Sequence, residues 1–270
     1  PGPTALATTV VNATCGSSNG SVTIGAVTGG TAAYTYSFNG GAYAATTSYT
    51  GLAAATYTVA VKDVNGCIFN TSATVSNTGG PTALAVTSGN STCGSSNGTV
   101  TIGAVTGGIA PYTYSFNGGA YAATTSYTGL AAGTYPVAVK DVNGCIYSTN
   151  ITVVNTPGPT ALASTTTNST CGNSNGTVTI GAVTGGTPPY SYSFNGGAYA
   201  VTTSYSGLAA ATYTVAVKDA NGCIFSTSTT IVNTPGPTAL ALTTANTTCT
   251  SSNGSVTIGA VTGGTAAYTY

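Results

Sequence analysis

The sequence predicts an all-β fold, built as tandem 78-residue Greek-key β-sandwich repeats. Thr, Val and Tyr are abundant and favour a pleated, half-buried surface, while the 38 glycines, together with Asn and Pro, supply turns. Whole segments also return at a constant spacing, which is the signature of a repeat protein. Disordered chains lack β-branched and aromatic residues, which alternate regularly here, so disorder is excluded.

The repeat runs through the whole chain. A segment that starts at Ser21 returns three times, changed only at its first residue. Linker prolines recur at one constant interval, at Pro3, Pro81, Pro159 and Pro237. The predicted units are three β-sandwich repeats, 3–80, 81–158 and 159–236, and a truncated fourth, 237–270. Because half a sheet has open edges and an exposed core, we expect the segment to belong to a longer chain or its last unit to be completed by something else.

The first half of repeat 1 contains two predicted strands. The first covers about 4–12. The second follows a turn at Asn19-Gly20, and its alternation places Val22, Ile24 and Ala26 on one face.

A third strand places Tyr34, Tyr36 and Phe38 on one face and ends at Asn39-Gly40, which is a strong hairpin signal. Short strands follow near Tyr43 and Tyr49.

The last two strands form a hairpin. The first of them turns Tyr57, Val59 and Val61 inward, and the second runs from 67 to about 76. Asp63-Val64-Asn65-Gly66 between them is interpreted as an Asx-type turn, because a calcium loop needs more oxygen ligands and a distal Glu. Seven short strands in so few residues predict a sandwich of immunoglobulin or fibronectin type.

The scarcity of charged residues excludes most catalytic mechanisms. They make up 2% of the chain and consist of Lys62, Lys140, Lys218, Asp63, Asp141 and Asp219. Without His, and with each Asp in a different repeat, no acid–base pair or activated nucleophile can be assembled. We therefore expect no enzyme activity and no catalytic residue, cofactor or metal site.

Net charge and hydropathy exclude two classes of partner. A net charge of zero gives no electrostatic basis for binding nucleic acid. No apolar run approaches the ~18–20 residues that span a bilayer, so no membrane span is expected. Pro1-Gly2-Pro3 resembles a linker and not a signal peptide, which predicts mature or internal sequence.

The seven cysteines alternate between a longer and a shorter spacing, which predicts a disulfide framework. The simplest pairing lies within repeats: Cys15–Cys67, Cys93–Cys145 and Cys171–Cys223, with the partner of Cys249 beyond the chain. In a seven-strand sandwich, however, the corner after the first strand and the last hairpin lie at opposite ends. A bond between repeats, such as Cys15–Cys145, therefore stays open. Either pairing implies an oxidising compartment and secretion.

Four ordered motifs occur in repeat 1: Cys-Gly-x-Ser-Asn-Gly (15–20), Thr-Gly-Gly-x-x-x-Tyr-x-Tyr-Ser-Phe (28–38), Gly-Leu-Ala-Ala-x-Thr-Tyr (51–57) and Lys-Asp-x-Asn-Gly-Cys (62–67). In this order they resemble the SprB-type repeats of very large cell-surface adhesins in gliding Bacteroidota. The resemblance implies export by the type 9 secretion system, surface display, and adhesion or motility.

Two functions fit these observations. The first is a structural component of an extracellular filament or cell-surface fibre, whose near-zero charge favours self-association and contact with neighbouring repeats or chains. Short, stiff Pro-Gly-Pro linkers favour such a role, since Pro restricts its own φ and its predecessor. The alternative is a cell-surface adhesin whose repeats or tip bind polysaccharide, with Tyr43 or Tyr49 as candidate contacts. Both functions place the protein outside the cell or on its surface.

Overall fold

A computed structural model describes residues 1–270, and every regular element in it is a β-strand. The predicted all-β class is confirmed. The chain divides into two compact units, one of residues 1–90 and 96–154 and the other of residues 91–95 and 155–270. No element is a helix that could cross a membrane.

In the first unit, repeat 1 contains eight strands: β1 (Pro3–Val11), β2 (Ala13–Thr14), β3 (Gly20–Gly29), β4 (Thr35–Phe38), β5 (Ser48–Leu52), β6 (Ala55–Lys62), β7 (Ile68–Val75) and β8 (Asn77–Thr78). The strands of repeat 2 are β9 (Pro81–Gly89), β10 (Ser91–Thr92), β11 (Gly98–Gly107), β12 (Thr113–Phe116), β13 (Ser126–Leu130), β14 (Gly133–Lys140), β15 (Ile146–Val153) and β16 (Asn155–Thr156), of which β10 and β16 belong to the second unit.

The rest of the second unit contains β17 (Pro159–Thr167), β18 (Ser169–Thr170), β19 (Gly176–Gly185), β20 (Ser191–Phe194), β21 (Ser204–Leu208), β22 (Ala211–Lys218), β23 (Ile224–Ile231), β24 (Asn233–Thr234), β25 (Pro237–Ala245) and β26 (Ser255–Gly263).

Each full repeat is a sandwich of two antiparallel three-stranded sheets. In repeat 1 the orders are β1-β3-β5 and β4-β6-β7, and β2 pairs with β8 in parallel. The same orders recur as β9-β11-β13 with β12-β14-β15, and as β17-β19-β21 with β20-β22-β23. The predicted β-sandwich class is confirmed.

The core of each sandwich lies between its two sheets. In repeat 1, Val22 and Ile24 of β3 face Val59 and Val61 of β6, and Val75 of β7 is buried with them. The inward alternation predicted for Val59 and Val61 is confirmed. Burial of these β-branched side chains on paired pleated surfaces is the main driving force for the fold.

One predicted position is wrong, because β3 contains a bulge. Leu6 pairs with Val27, whereas Thr8 pairs with Ile24, so the alternation shifts between Ile24 and Val27. Ala26, predicted to share the face of Val22, is exposed, and Val27 packs against the core in its place. An extra residue in one strand reverses the faces of the residues that follow it.

A stack of aromatic rings closes one side of the sandwich. The Phe38 ring lies 4.0 Å from the Tyr49 ring and 5.2 Å from the Tyr57 ring, measured between centroids. Tyr49 belongs to an edge strand of one sheet and Phe38 to an edge strand of the other, so the stack joins the two sheets. The strand predicted near Tyr43 is reduced to a single antiparallel bridge between Tyr36 and Ala44.

Two of the three Asn-Gly pairs in repeat 1 have different roles. Asn39 and Gly40 both have positive φ, 49° and 77°, as predicted for a hairpin turn. Gly20 instead begins β3, and a Cβ there would lie 2.6 Å from Cγ1 of the buried Val75. Gly20 is therefore required by packing and not by a turn.

Residues 237–270 form a two-stranded hairpin, β25-β26. Its apolar side is open: Val256 is 66% exposed, whereas the equivalent Val22 is 0% exposed. In repeat 1 the β4-β6-β7 sheet covers this side.

We expect Gly98→Ala to destabilise repeat 2. Its Cβ would lie 2.5 Å from Cγ1 of Val153, a buried core residue, and 2.9 Å from the Leu130 carbonyl oxygen. Forcing a methyl group into a packed core costs about 1–3 kcal/mol. The measurement is the urea midpoint with the disulfides intact.

The matched control is Gly133→Ala in the same repeat. Its Cβ would lie no closer than 3.8 Å to the Tyr135 ring, and the other full repeats carry Ala55 and Ala211 at this position. We expect its midpoint to equal or exceed that of the parent. Equal midpoints for the two variants would contradict the packing role of Gly98.

Candidate functional site at the repeat junctions

The corner segment, which we define as residues 12–19, lies between β1 and β3. The linker to repeat 2, which follows β7, runs alongside this corner segment. The Ala13 amide donates to the Ser76 carbonyl at 2.9 Å, and the Cys15 amide donates to the Thr78 carbonyl at 3.1 Å. These bonds belong to the parallel β2–β8 pair and align the linker with the corner segment.

Asparagine side chains add to this attachment. Oδ1 of Asn77 accepts a hydrogen bond from the Gly16 amide at 2.9 Å, and Oδ1 of Asn12 accepts one from the Ser76 amide at 3.1 Å. The Gly16 bond recurs in the second unit, from Gly94 to Asn155 and from Gly172 to Asn233. Sequence reasoning missed these asparagines, although Asn-Thr in each linker at the repeat spacing was the available signal.

The first cysteine of the junction has an unusual backbone. Cys15 has φ 56° and Gly16 has φ 69°, and the same conformation occurs at Cys93 and Cys171. Positive φ is uncommon for a residue other than Gly, Asn or Asp and costs of order 1–3 kcal/mol. The hydrogen bonds of the Cys15 and Gly16 amides hold this conformation.

The second cysteine lies beside a linker glycine. A Cβ on Gly80 would overlap Cβ of Cys145, one on Gly158 would lie 2.5 Å from Cβ of Cys223, and one on Gly2 would lie 2.6 Å from Cβ of Cys67. Any side chain at these glycines would separate the linker from the cysteine. Glycine therefore allows the backbone to pass closely enough for a bond across the junction.

Both disulfides join one repeat to the next. Cys15 is bonded to Cys145 with a Cα–Cα distance of 5.2 Å, and Cys93 is bonded to Cys223 with 5.3 Å. The predicted pairing within repeats, Cys15–Cys67, Cys93–Cys145 and Cys171–Cys223, is wrong. The thiols of Cys67, Cys171 and Cys249 are unpaired and exposed.

The reason for this correction lies in the length of the sandwich. The corner segment precedes Gly20, which packs on Val75 at one end of β7, whereas Cys67 precedes the other end of β7. The corner is thus remote from the last turn of its own repeat. The linker that runs along the corner brings it to the last turn of the following repeat, which is the alternative that the sequence left open.

The predicted Asx turn at Asp63 is confirmed and positions the second cysteine. Oδ1 of Asp63 accepts hydrogen bonds from the Asn65 and Cys67 amides at 3.0 and 2.9 Å, and Oδ2 accepts one from the Thr31 amide at 3.1 Å. The Cys145 and Cys223 amides donate in the same way to Asp141 and Asp219. Desolvation raises the pKa of Asp63, but the amide hydrogen bonds outweigh it, and the pKa is lowered from 3.8.

The tyrosines considered as glycan contacts are engaged within their own repeat. Nζ of Lys62 lies 4.4 Å from the centroid of the Tyr43 ring, a cation–π contact that recurs at Lys140–Tyr121 and Lys218–Tyr199. Tyr49 has one face covered by Phe38. Each ring therefore has one occupied face, and the structure does not bring the two tyrosines together in a binding site.

Comparisons with known proteins identify a repeat family. The SprB repeat model matches four segments, 7–43, 85–121, 163–199 and 241–270, which make up just over half of the chain. A search among curated proteins found no match.

Several solved structures are similar to parts of this chain. The N-terminal eight Ig domains of Down Syndrome Cell Adhesion Molecule share 12% identity over 89% of this chain and 38% of theirs, with a TM-score of 0.31. Domains 4–9 of surface layer protein SbsC share 15% identity over 90% of this chain and 49% of theirs, with a TM-score of 0.24. SGBP-B of Bacteroides ovatus, in complex with a mixed-linkage heptasaccharide, shares 15% identity over 86% of this chain and 67% of its own, with a TM-score of 0.19. The chain spans less than half the length of the first two, and all three are too distant to carry an argument about function.

We expect peptide mapping to recover the two bonds between repeats. After alkylation of free thiols and unfolding without reductant, trypsin cuts at Lys62, Lys140 and Lys218. The bonds then link fragment 1–62 to 141–218 and fragment 63–140 to 219–270.

Alkylation before reduction provides an internal control, because it should label Cys67, Cys171 and Cys249 alone. Linkage of 1–62 to 63–140 would show pairing within repeats and contradict the structure.

Acidification should weaken the Asp63 turn. A carboxyl whose pKa is lower in the folded state contributes stability that is full above the unfolded pKa, near 3.8, and is lost as the pH falls through the folded value. We expect the Thr31 and Cys67 amides to lose protection from hydrogen exchange, corrected for intrinsic rates, below about pH 4.

Asp63→Asn should remove this pH dependence, because no carboxyl remains at the turn. Asp219→Asn, in the other unit, should leave the Thr31 and Cys67 amides as in the parent. Protection at these amides that is the same at pH 3 and pH 6 in the parent would rule out the role of the carboxylate.

Proposed function

The chain belongs to the SprB repeat family, and from this premise we propose that it is a structural component of an extracellular filament or cell-surface fibre. The observation that carries the proposal is the pair of disulfides, each spanning 130 residues and joining consecutive repeats. Bonds of this kind persist in oxidising environments outside the cytosol. The units of the fibre are the 78-residue repeats, with bounds 3–80, 81–158 and 159–236.

The disulfides suit a durable structure made from small units. A domain of this size buries a modest core and is marginally stable alone. On the chain-entropy model, closing a loop of 130 residues stabilises the folded state by about 5 kcal/mol. Each bond therefore contributes an amount similar to the whole stability of a small domain.

The surface favours association with other chains. The lysines lie over tyrosine rings and the aspartates are buried, so little of the already small charge faces solvent as a free ion. A net charge near zero leaves no long-range repulsion between copies. Self-association, and contact between neighbouring repeats or chains, is thus the partner class that we propose.

The family supplies the finer part of the proposal. Surface display after type 9 secretion agrees with a chain whose junctions contain disulfides. An adhesive role, in which the repeats or a distal tip bind polysaccharide, is the competing function. Tyr43 and Tyr49 each have one ring face occupied within the fold, so they do not form a preformed sugar-binding site that would support the adhesive role.

Immunogold electron microscopy of the source cells tests the fibre. Antibodies against the purified chain should label extracellular filaments along their length, because every repeat carries the epitope. Filaments treated with trypsin without reductant should keep their label, since each lysine lies at the end of a paired strand with its Nζ over a tyrosine ring.

A glycan array with the full chain provides the opposing test. Label confined to the cell surface without filaments, together with selective binding to a polysaccharide, would favour the adhesin and contradict the fibre.

A further inference from the structure

The two disulfides close overlapping loops in the chain. One loop runs from Cys15 to Cys145 and the other from Cys93 to Cys223, so they share residues 93–145. Every peptide bond between Cys15 and Cys223 lies inside at least one loop. A force applied to the two ends of the chain can therefore be carried by the disulfides, so that large parts of the backbone bear none of it.

We propose that these loops make the chain a tension-bearing element whose extension is limited by its disulfides. The inference rests on the proposed fibre function, because only a chain that carries load has a use for such a limit. It adds a mechanical role and a dependence on redox state, which the fold alone does not require.

The taut path follows from the connectivity. It runs from Pro1 to Cys15, crosses to Cys145, returns along the backbone to Cys93, crosses to Cys223 and continues to Tyr270. Residues 16–92 and 146–222 lie off this path. At ~3.4 Å per residue the taut path extends to roughly 400 Å, whereas the whole backbone would extend to roughly 900 Å.

The bypassed residues contain most of the packed structure of two repeats. In repeat 1 only β1 and β2 lie on the path, while β3, β5, β6 and β7, with the core valines, lie off it. Once the taut path is fully extended, further force acts on its covalent bonds and not on the sheets of the bypassed residues. Unfolding of these sandwiches therefore cannot lengthen the chain.

The ends of each disulfide are fixed by the junction itself. The Cys15 amide donates to the Thr78 carbonyl at 3.1 Å and the Cys145 amide donates to Oδ1 of Asp141 at 2.9 Å. In the second unit, Cys93 donates to the Thr156 carbonyl at 3.1 Å and Cys223 to Oδ1 of Asp219 at 2.8 Å. Both cysteines of each bond are thus attached to hydrogen-bonded backbone, which suits a point where load enters and leaves a repeat.

Single-molecule stretching of the full chain, held through non-thiol handles at its two ends, tests the proposal. Without reductant we expect a maximum extension of roughly 400 Å, and with reductant roughly 900 Å. Extension to the full backbone length in both conditions would overturn the inference.

Two variants separate this connectivity from pairing within repeats, which would give the same taut length in the parent. Cys67→Ser should leave the extension unchanged, because Cys67 is a free thiol. The double variant Cys15→Ser/Cys145→Ser should lengthen it by roughly 90 Å, because the taut path gains about 26 residues. A gain of roughly 180 Å in Cys67→Ser would overturn the inference.

The stretching result is independent of filament assembly. If the extension stops at roughly 400 Å but the antibodies label no filaments, the mechanical limit stands and the fibre is contradicted. If the antibodies label filaments but the chain extends to its full backbone length without reductant, the fibre stands and the mechanical limit is contradicted.

Discussion

The offset between the two cysteines of each bond is the constraint on which the rest of the structure depends. One cysteine lies at the corner after the first long strand of a repeat, and the other at the last hairpin turn of the repeat that follows. A sandwich has these features at opposite ends, so its own cysteines cannot meet. The linker must therefore bring the end of one repeat against the start of the next, and Asn77, Gly80 and the Asp141 turn each serve that approach.

The polar residues of the junction act almost entirely on backbone groups. Asn12, Asn77 and Asp63 accept hydrogen bonds from amides, and none of them faces an opposite charge. Carboxylates that accept several amide hydrogen bonds replace their lost hydration locally, so they tolerate burial without an ion pair. A nearly uncharged chain can thus build specific turns with very few ionisable groups, and the lowered pKa of Asp63 makes the stability of its turn depend on acidity.

The sequence allowed the fold to be predicted in some detail, because period-two alternation and a repeat spacing leave few alternatives. The inward face of β6, that of β3 as far as Ile24, and the turns at Asn39 and Asp63 are local properties and were correctly predicted. Ala26 was misplaced because a bulge depends on the partner strand, which no local pattern reveals. The predicted disulfide pairing failed for a related reason: the spacing of the cysteines predicts a disulfide framework but not which ends of the sandwiches meet. The clue was the geometric objection to a Cys15–Cys67 bond, which was correct.

The overlap of the two loops also bears on how such a molecule ages outside the cell. Proteases and chemical wear cut backbones one bond at a time, and in most chains the first cut ends continuity. Here a single break anywhere between Cys15 and Cys223 leaves every part attached through a neighbouring repeat. The protein can therefore lose one peptide bond in this region and still remain a single covalent molecule that links its two ends.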